Sequence, residues 1–234
     1  MNILLSAALY VALNSTSPQF IGTSPWGESD EIGRLNMMTP QRKAEVMARV
    51  DASHVYDLSV EYFVGMPSWQ AAGDPHYQFW MTHTPRGAVT DNVLEMGKDI
   101  NRHVSYSGSA FSMYSHTGTH IDTFSHFGLN GQIYNHFSAD NHLGDKGWQR
   151  SGAETIPPIV ARGVLIDLPK SKGIEMLPDN YRITVSDIQA ALLSQNVALE
   201  EGDVVLLRTG RMKNYEDAAQ FMMNSPGLGM AAAR

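Results

Sequence analysis

"ARGVLIDL", residues 161–168, is a short apolar, β-branched run broken by a glycine, and "GDVVLLRTG", residues 202–210, is a second of the same kind. Both are too short for a helix that must bury a face, and both read as buried strands. Between them "TVSDIQAALLSQ", residues 184–195, sets Ile188, Ala191 and Leu192 on one helical face. Strand, helix and strand in that order imply an α/β unit.

Outward from that unit the signals are more local. "HVYDLSVEYF" at 54–63 alternates well enough for a strand, and "SGSAFSMYSHTGTHID" at 107–122 has the aromatic and hydroxyl content of another. Thr39-Pro40 offers an N-cap with proline at the first helical position. The following "QRKAEVMARV" aligns Ala44, Val46, Met47 and Val50 roughly along one stripe, which predicts a short amphipathic helix. "SPWGESDEIGRLNMMTP" at 24–40 reads as an irregular arm and "GMPSWQAAGDP" as a loop. Residues 71–110 show little clean periodicity. "NSPGLGMAAAR" at 224–234 looks like a turn and the start of a helix.

A chain of 234 residues fits one domain, and 43% hydrophobic with 18% charged residues is a globular composition. The net charge of −7 leaves no excess of lysine and arginine to neutralise phosphates, which argues against nucleic acid and anionic membranes as partners. The absence of cysteine removes disulfides and thiolate chemistry, so any metal must be held by nitrogen and oxygen. "ILLSAALYVAL" at 3–13 has the length of a signal-peptide core but lacks a basic flank, and it is too short to span a bilayer. Residues 1–20 are therefore expected to be an arm or a signal-like segment, with a single domain over 21–234. The expected compartment is the cytoplasm, with export the alternative if residues 1–17 act as a signal.

Five of the nine histidines (His116, His120, His126, His136 and His142) fall within 116–142. The first three, with Asp122, are spaced His-x3-His-x-Asp-x3-His. All four positions are even, so an extended strand would carry them on one side. Gly118 suits a close approach or a bend that lets non-adjacent side chains reach one ion. Two imidazoles and a carboxylate are a common donor set for Zn(II), Mn(II) or Fe(II) with positions left open for water. His126 is then spaced to move a proton instead of binding the ion, and imidazole's ordinary pKa suits that task. His54, His76, His83 and His103 have no partner spacing, and His136 and His142 read as structural or surface groups.

"HTGTHIDTFSHF" at 116–127 resembles the signature of the cyclase-family metal hydrolases, the group that includes bacterial kynurenine formamidase and isatin hydrolase. Their His-x-Gly-Thr-His-x-Asp-x-Pro-x-His pattern is met at His116, Gly118, Thr119, His120, Asp122 and His126. Phe124 stands where the formamidases usually carry proline, which tilts the resemblance towards the isatin-hydrolase-like branch. "SPWGESDEIGRLNMMTP", "YDLSVEYFVGMPSW", "GDVVLLRTGR" and "SPGLGMAAAR" are similar to further family segments, so the resemblance spans 25–234.

The resemblance implies a mixed-sheet, swivelling β/β/α-type domain, usually a homodimer or homotetramer. It implies His116, His120 and Asp122 as metal ligands, His126 as general acid/base, and Trp69 in the substrate pocket, with Phe63 and Phe127 as further aromatic candidates. The implied cofactor is one Mn(II) or Zn(II), with a second ion in a longer form. The implied reaction is hydrolysis of a small aromatic amide, an N-formyl arylamine or a lactam such as isatin, by metal-bound hydroxide. Binuclear relatives carry a further histidine and glutamate beyond the segment that ends here, so a missing C-terminal part is expected. The competing readings are a fragment that binds metal only weakly or contributes to assembly, and a non-haem Fe(II) oxygenase, which wants a distant third histidine.

Overall fold

A computed structural model describes residues 21–70, 72–92 and 95–233. The apolar run at 3–13, and with it the signal reading, lies outside the described residues. The described strands are β1 (Gln78–His83), β2 (Gly108–Ser112), β3 (Leu143–Gly144), β4 (Gly147–Trp148), β5 (Gly163–Asp167), β6 (Arg182–Ile183), β7 (Val204–Arg208) and β8 (Gly227–Leu228). They pair two by two: β1 with β2 and β3 with β4 antiparallel, β5 with β7 and β6 with β8 parallel. The fold is mixed α/β. The chain divides into two compact units, Met1–Ala48 with Asp122–Ala161 and Arg49–Ile121 with Arg162–Arg234.

The first unit is organised around a buried carboxylate. Asp30 accepts from the Ser24 hydroxyl at 2.6 Å, the Tyr134 hydroxyl at 2.7 Å, the Asn36 amide at 2.7 Å and the backbone N–H groups of Ile32 and Gly33. Asn135 adds a second tie: its Oδ1 accepts from Ser24 N, while its Nδ2 donates to the carbonyls of Gly27 and Asp30. The arm is irregular up to Ile32, as its composition predicts, held by side chains and backbone turns, but Gly33–Met37 departs from that expectation and winds into a 3-10 helix. Phe124 stacks on Tyr134 with ring centroids 4.4 Å apart. A Cβ on Gly33 would lie 3.0 Å from the Phe124 ring, so the phenylalanine that departs from the family proline packs where only glycine fits. Glu31 accepts from Arg150 at 2.8 Å and from Ser151 N at 2.6 Å. The helix predicted after Thr39-Pro40 forms over Pro40–Ala48, but its apolar stripe is not covered: Met47 is 62% exposed.

The second unit holds the main apolar core. Val164, Ile166, Leu168, Leu177, Ile183 and Ala191 are buried together, with Ile188, Leu192 and Leu207 packed against them. Fully burying side chains such as Ile166 or Leu177 contributes roughly 1.5–3 kcal/mol each. The helix Val185–Gln195 turns Ile188, Ala191 and Leu192 into this core, as its periodicity predicts. Thr184 and Asp187 close its first turn in a reciprocal capping box, and Asn196 ends it in the left-handed region. Asp187 also accepts from Lys172 and from the Tyr181 hydroxyl.

Two expectations need correction. The runs at 161–168 and 202–210 are strands, but β5 and β7 are covered on one face only. Val164 and Ile166 are buried while Leu165 is half exposed. Leu165 and Leu206, register partners, face an apolar cavity of about 890 Å³ that also involves Tyr56, Leu58 and Phe221. The strand predicted at 54–63 does not form. Asp57 accepts from both the N–H and the hydroxyl of Ser59, an Asx arrangement that takes the Ser59 N–H away from any ladder. Val55 and Leu58 are accordingly 90% and 69% exposed.

Candidate metal centre

The strand expected over 107–122 ends early. β2 stops at Ser112, and residues 113–122 run as irregular backbone with bends and one isolated bridge at Thr117. The histidines and the aspartate therefore do not meet by the two-residue alternation of a pleat. Gly118, at φ +64°, lies in a bend of the chain between the two histidines. A side chain is strained at that φ, and a Cβ there would also lie 2.7 Å from the Tyr62 ring.

One ligand atom from each of His116, His120 and Asp122 lies within 4.8 Å of the other two. Nδ1 of His116 and Nε2 of His120 are 3.2 Å apart, with the rings edge-on at 85°. Metal–nitrogen bonds of about 2.0–2.1 Å with tetrahedral angles place two donor atoms roughly 3.4 Å apart, so this nitrogen pair already has the separation of two ligands of one ion. The donor set, two imidazoles and a carboxylate, suits a divalent cation.

The tautomer of His120 follows from its second contact. Its Nδ1 lies 2.9 Å from the carbonyl of Gly118, and a carbonyl only accepts, so Nδ1 carries the proton. Nε2, the nitrogen turned towards His116, then presents its lone pair. Metal-binding imidazoles are commonly oriented by such a bond from the other ring nitrogen. The bend is held from 49–59 residues earlier in the chain. The Tyr62 hydroxyl reaches the carbonyls of Thr117 and Thr119, Val60 N donates to the Thr119 hydroxyl, and Ser68 and Thr117 form an isolated antiparallel bridge. Thr117 is buried, and its hydroxyl has no hydrogen-bond partner among the described residues.

A match to the Cyclase family covers residues 56–234, most of the chain. The chain belongs to the cyclase family. A crystal structure described as that of a novel cyclase is similar to it with a TM-score of 0.77 and 23% identity, over 91% of this chain and 72% of that one. At that identity the likeness speaks for the fold, the mixed α/β architecture. No curated protein matches the chain.

In this cyclase-family chain the other predicted residues are placed as follows. His126 falls outside the group of three, with its backbone N–H bonded to Thr123 O and its ring edge-on to Phe127 at 4.9 Å. Trp69, about half exposed, lines a cavity of about 510 Å³ with Met66, Ser68, Gln70, His76 and Met222. Phe63 packs edge-on against Tyr215, and Phe127 is 81% exposed; neither lines that cavity. Sequence reasoning passed over Tyr62 and His76. Tyr62 lies beside the Gly-Met-Pro loop but carries no spacing signal, and His76 meets Gln70, six positions away, only through the fold of the loop. Among the described residues no helix is long and apolar enough to cross a membrane.

Proposed function

We propose that this chain is a divalent-metal-dependent hydrolase of a linear or cyclic amide, with an N-formyl arylamine or a lactam such as isatin as its substrate class. The observation that carries this reading is the approach of His116 Nδ1 and His120 Nε2 to 3.2 Å beside Asp122, with the His120 tautomer set by Gly118. His116, His120 and Asp122 would hold one Mn(II) or Zn(II). When bound, such an ion polarises a carbonyl oxygen and lowers the pKa of a water from about 15.7 to about 7.

The remaining work falls to protein groups. His126 takes and returns a proton, delivering it to the leaving nitrogen as the carbon–nitrogen bond breaks. The cavity beside Trp69 is formed by the loop whose Ser68 pairs with Thr117, the neighbour of His116, and it supplies an aromatic wall for the ring of the substrate. Phe63 and Phe127 are the weaker aromatic candidates. The proposed setting is a cytoplasmic homodimer or homotetramer, supported by half-exposed Phe79, Trp80, Met81 and Phe111 on β1 and β2.

The test is elemental analysis of the purified chain beside Asp122→Ala, followed by hydrolysis assays on N-formylkynurenine-type amides and on isatin. Near-stoichiometric manganese or zinc, lost in the variant, together with turnover abolished by His126→Ala, is the expected result. Wild-type protein that takes up no metal on reconstitution overturns the reading.

A further inference from the structure

Tyr62 makes an unusual set of contacts for a residue with no assigned role. Its single hydroxyl hydrogen is shared between the carbonyls of Thr117 at 3.0 Å and Thr119 at 2.9 Å. Its ring lies directly under Gly118, where a Cβ would come within 2.7 Å of Cζ. The ring is itself braced edge-on by Tyr77 at 5.8 Å. The carbonyls on either side of Gly118 are thus turned to one hydroxyl, and the Gly118 carbonyl between them is the one that accepts from His120 Nδ1 at 2.9 Å.

We infer that Tyr62 is a positioning residue for the metal centre: by holding the carbonyls of the peptide groups before and after the Gly118–Thr119 peptide, it aims the Gly118 carbonyl at His120 and so keeps the His120 Nε2 lone pair turned towards the ion. The inference rests on the metal reading of His116, His120 and Asp122. It goes beyond that reading by assigning the control of one ligand to a residue 58 positions upstream. Val60, whose N–H bonds the Thr119 hydroxyl at 2.9 Å, anchors the same segment and limits how far Tyr62 can shift.

The chemistry makes the effect specific. Without the hydroxyl, the carbonyls of Thr117 and Thr119 lose their common donor, and the Gly118–Thr119 peptide between them is held less firmly. The Gly118 carbonyl is then no longer aimed, and His120 can place its proton on either nitrogen. A proton on Nε2 must be displaced before that nitrogen can bind an ion. Partners that orient a ligand in this way typically govern about 10- to 100-fold in metal affinity.

The experiment compares wild type, Tyr62→Phe and Tyr215→Phe as full chains. Tyr215→Phe is the control, because its hydroxyl bonds Glu61 O in the same segment without touching the turn. Nitrogen-15 imidazole spectra of the metal-free proteins report the His120 tautomer, and titration with Mn(II) or Zn(II) reports the dissociation constant. Expected are a pure Nδ1–H tautomer in wild type and in Tyr215→Phe, a mixed tautomer in Tyr62→Phe, and a dissociation constant weaker by about tenfold in Tyr62→Phe alone. An unchanged tautomer and affinity in Tyr62→Phe overturns the inference, as does an Nε2–H tautomer in the wild type. A Tyr62→Phe chain that no longer folds makes the tyrosine a structural residue and also overturns it. Wild type that binds no metal while showing the predicted tautomers counts against the metal reading and not against the positioning contact.

Discussion

Tyr134 donates its hydroxyl to Asp30 at 2.7 Å across 104 positions of sequence, closing a set of hydrogen bonds around one buried carboxylate. Burial alone would raise the Asp30 pKa. The bonds from Ser24, Tyr134, Asn36 and Ile32 outweigh it and hold the group down to about 2 from its ordinary 3.8.

A depressed carboxylate stabilises the fold fully above its unfolded pKa and loses that contribution as pH falls through the folded value. Asp30 is therefore expected to contribute roughly 2 kcal/mol at neutral pH, lost between about pH 4 and pH 2. In urea denaturation Asp30→Asn should fall well below wild type at pH 7 and approach it near pH 2. An equal gap at both pH values would contradict this account.

Gly33 sits at φ +56° with the Phe124 ring 3.0 Å from where a Cβ would be. Gly33→Ala is expected to cost about 1–3 kcal/mol from overpacking and backbone strain together. In a Phe124→Ala background the ring contact disappears, leaving the backbone part and the 3.3 Å approach to the Tyr134 hydroxyl, so the two changes should be non-additive in a double-mutant cycle.

The buried Thr117 hydroxyl, unpartnered among the described residues, predicts a gain on removal. Thr117→Val keeps the shape and removes a desolvated polar group, and should raise stability by about 1 kcal/mol. A loss of stability would show that the hydroxyl has a partner in solution.

Thr184 caps the helix that supplies Ile188, Ala191 and Leu192 to the core, and its side chain accepts from Asp187 N. Thr184→Ala should cost about 1 kcal/mol. Asp187→Ala should cost more, because it also leaves the Lys172 ammonium and the Tyr181 hydroxyl without this acceptor.

Metal that binds the folded state alone stabilises it by mass action, by about 2.7 kcal/mol at a hundredfold excess over the dissociation constant. Added Mn(II) or Zn(II) should raise the melting temperature of wild type, and chelator should reverse the gain. His120→Ala should abolish the response while melting close to metal-free wild type, since His120 is exposed.

The α/β unit and the group of His116, His120 and Asp122 that could hold a metal ion were legible in the sequence because both are written locally. Strand, helix and strand at 161–210 follow from short-range periodicity, and His116, His120 and Asp122 lie within seven positions of one another, close enough for any reversing turn to gather them. Of the two features expected to bring them together, parity on a strand plays no part, and the bend at Gly118 is the one that forms. Residues 54–63 alternate like a strand, but alternation cannot supply a partner, and an Asx turn at Asp57 competes successfully with the ladder. Only the tertiary structure decided that Tyr62 lies under Gly118, that the Gly118 carbonyl sets the His120 tautomer, that Phe124 packs on Gly33, and that one face of β5 and β7 opens into a cavity. All but the Gly118–His120 contact depend on two segments meeting across tens of residues, and periodicity within a single segment carries no information about which other segment it will meet.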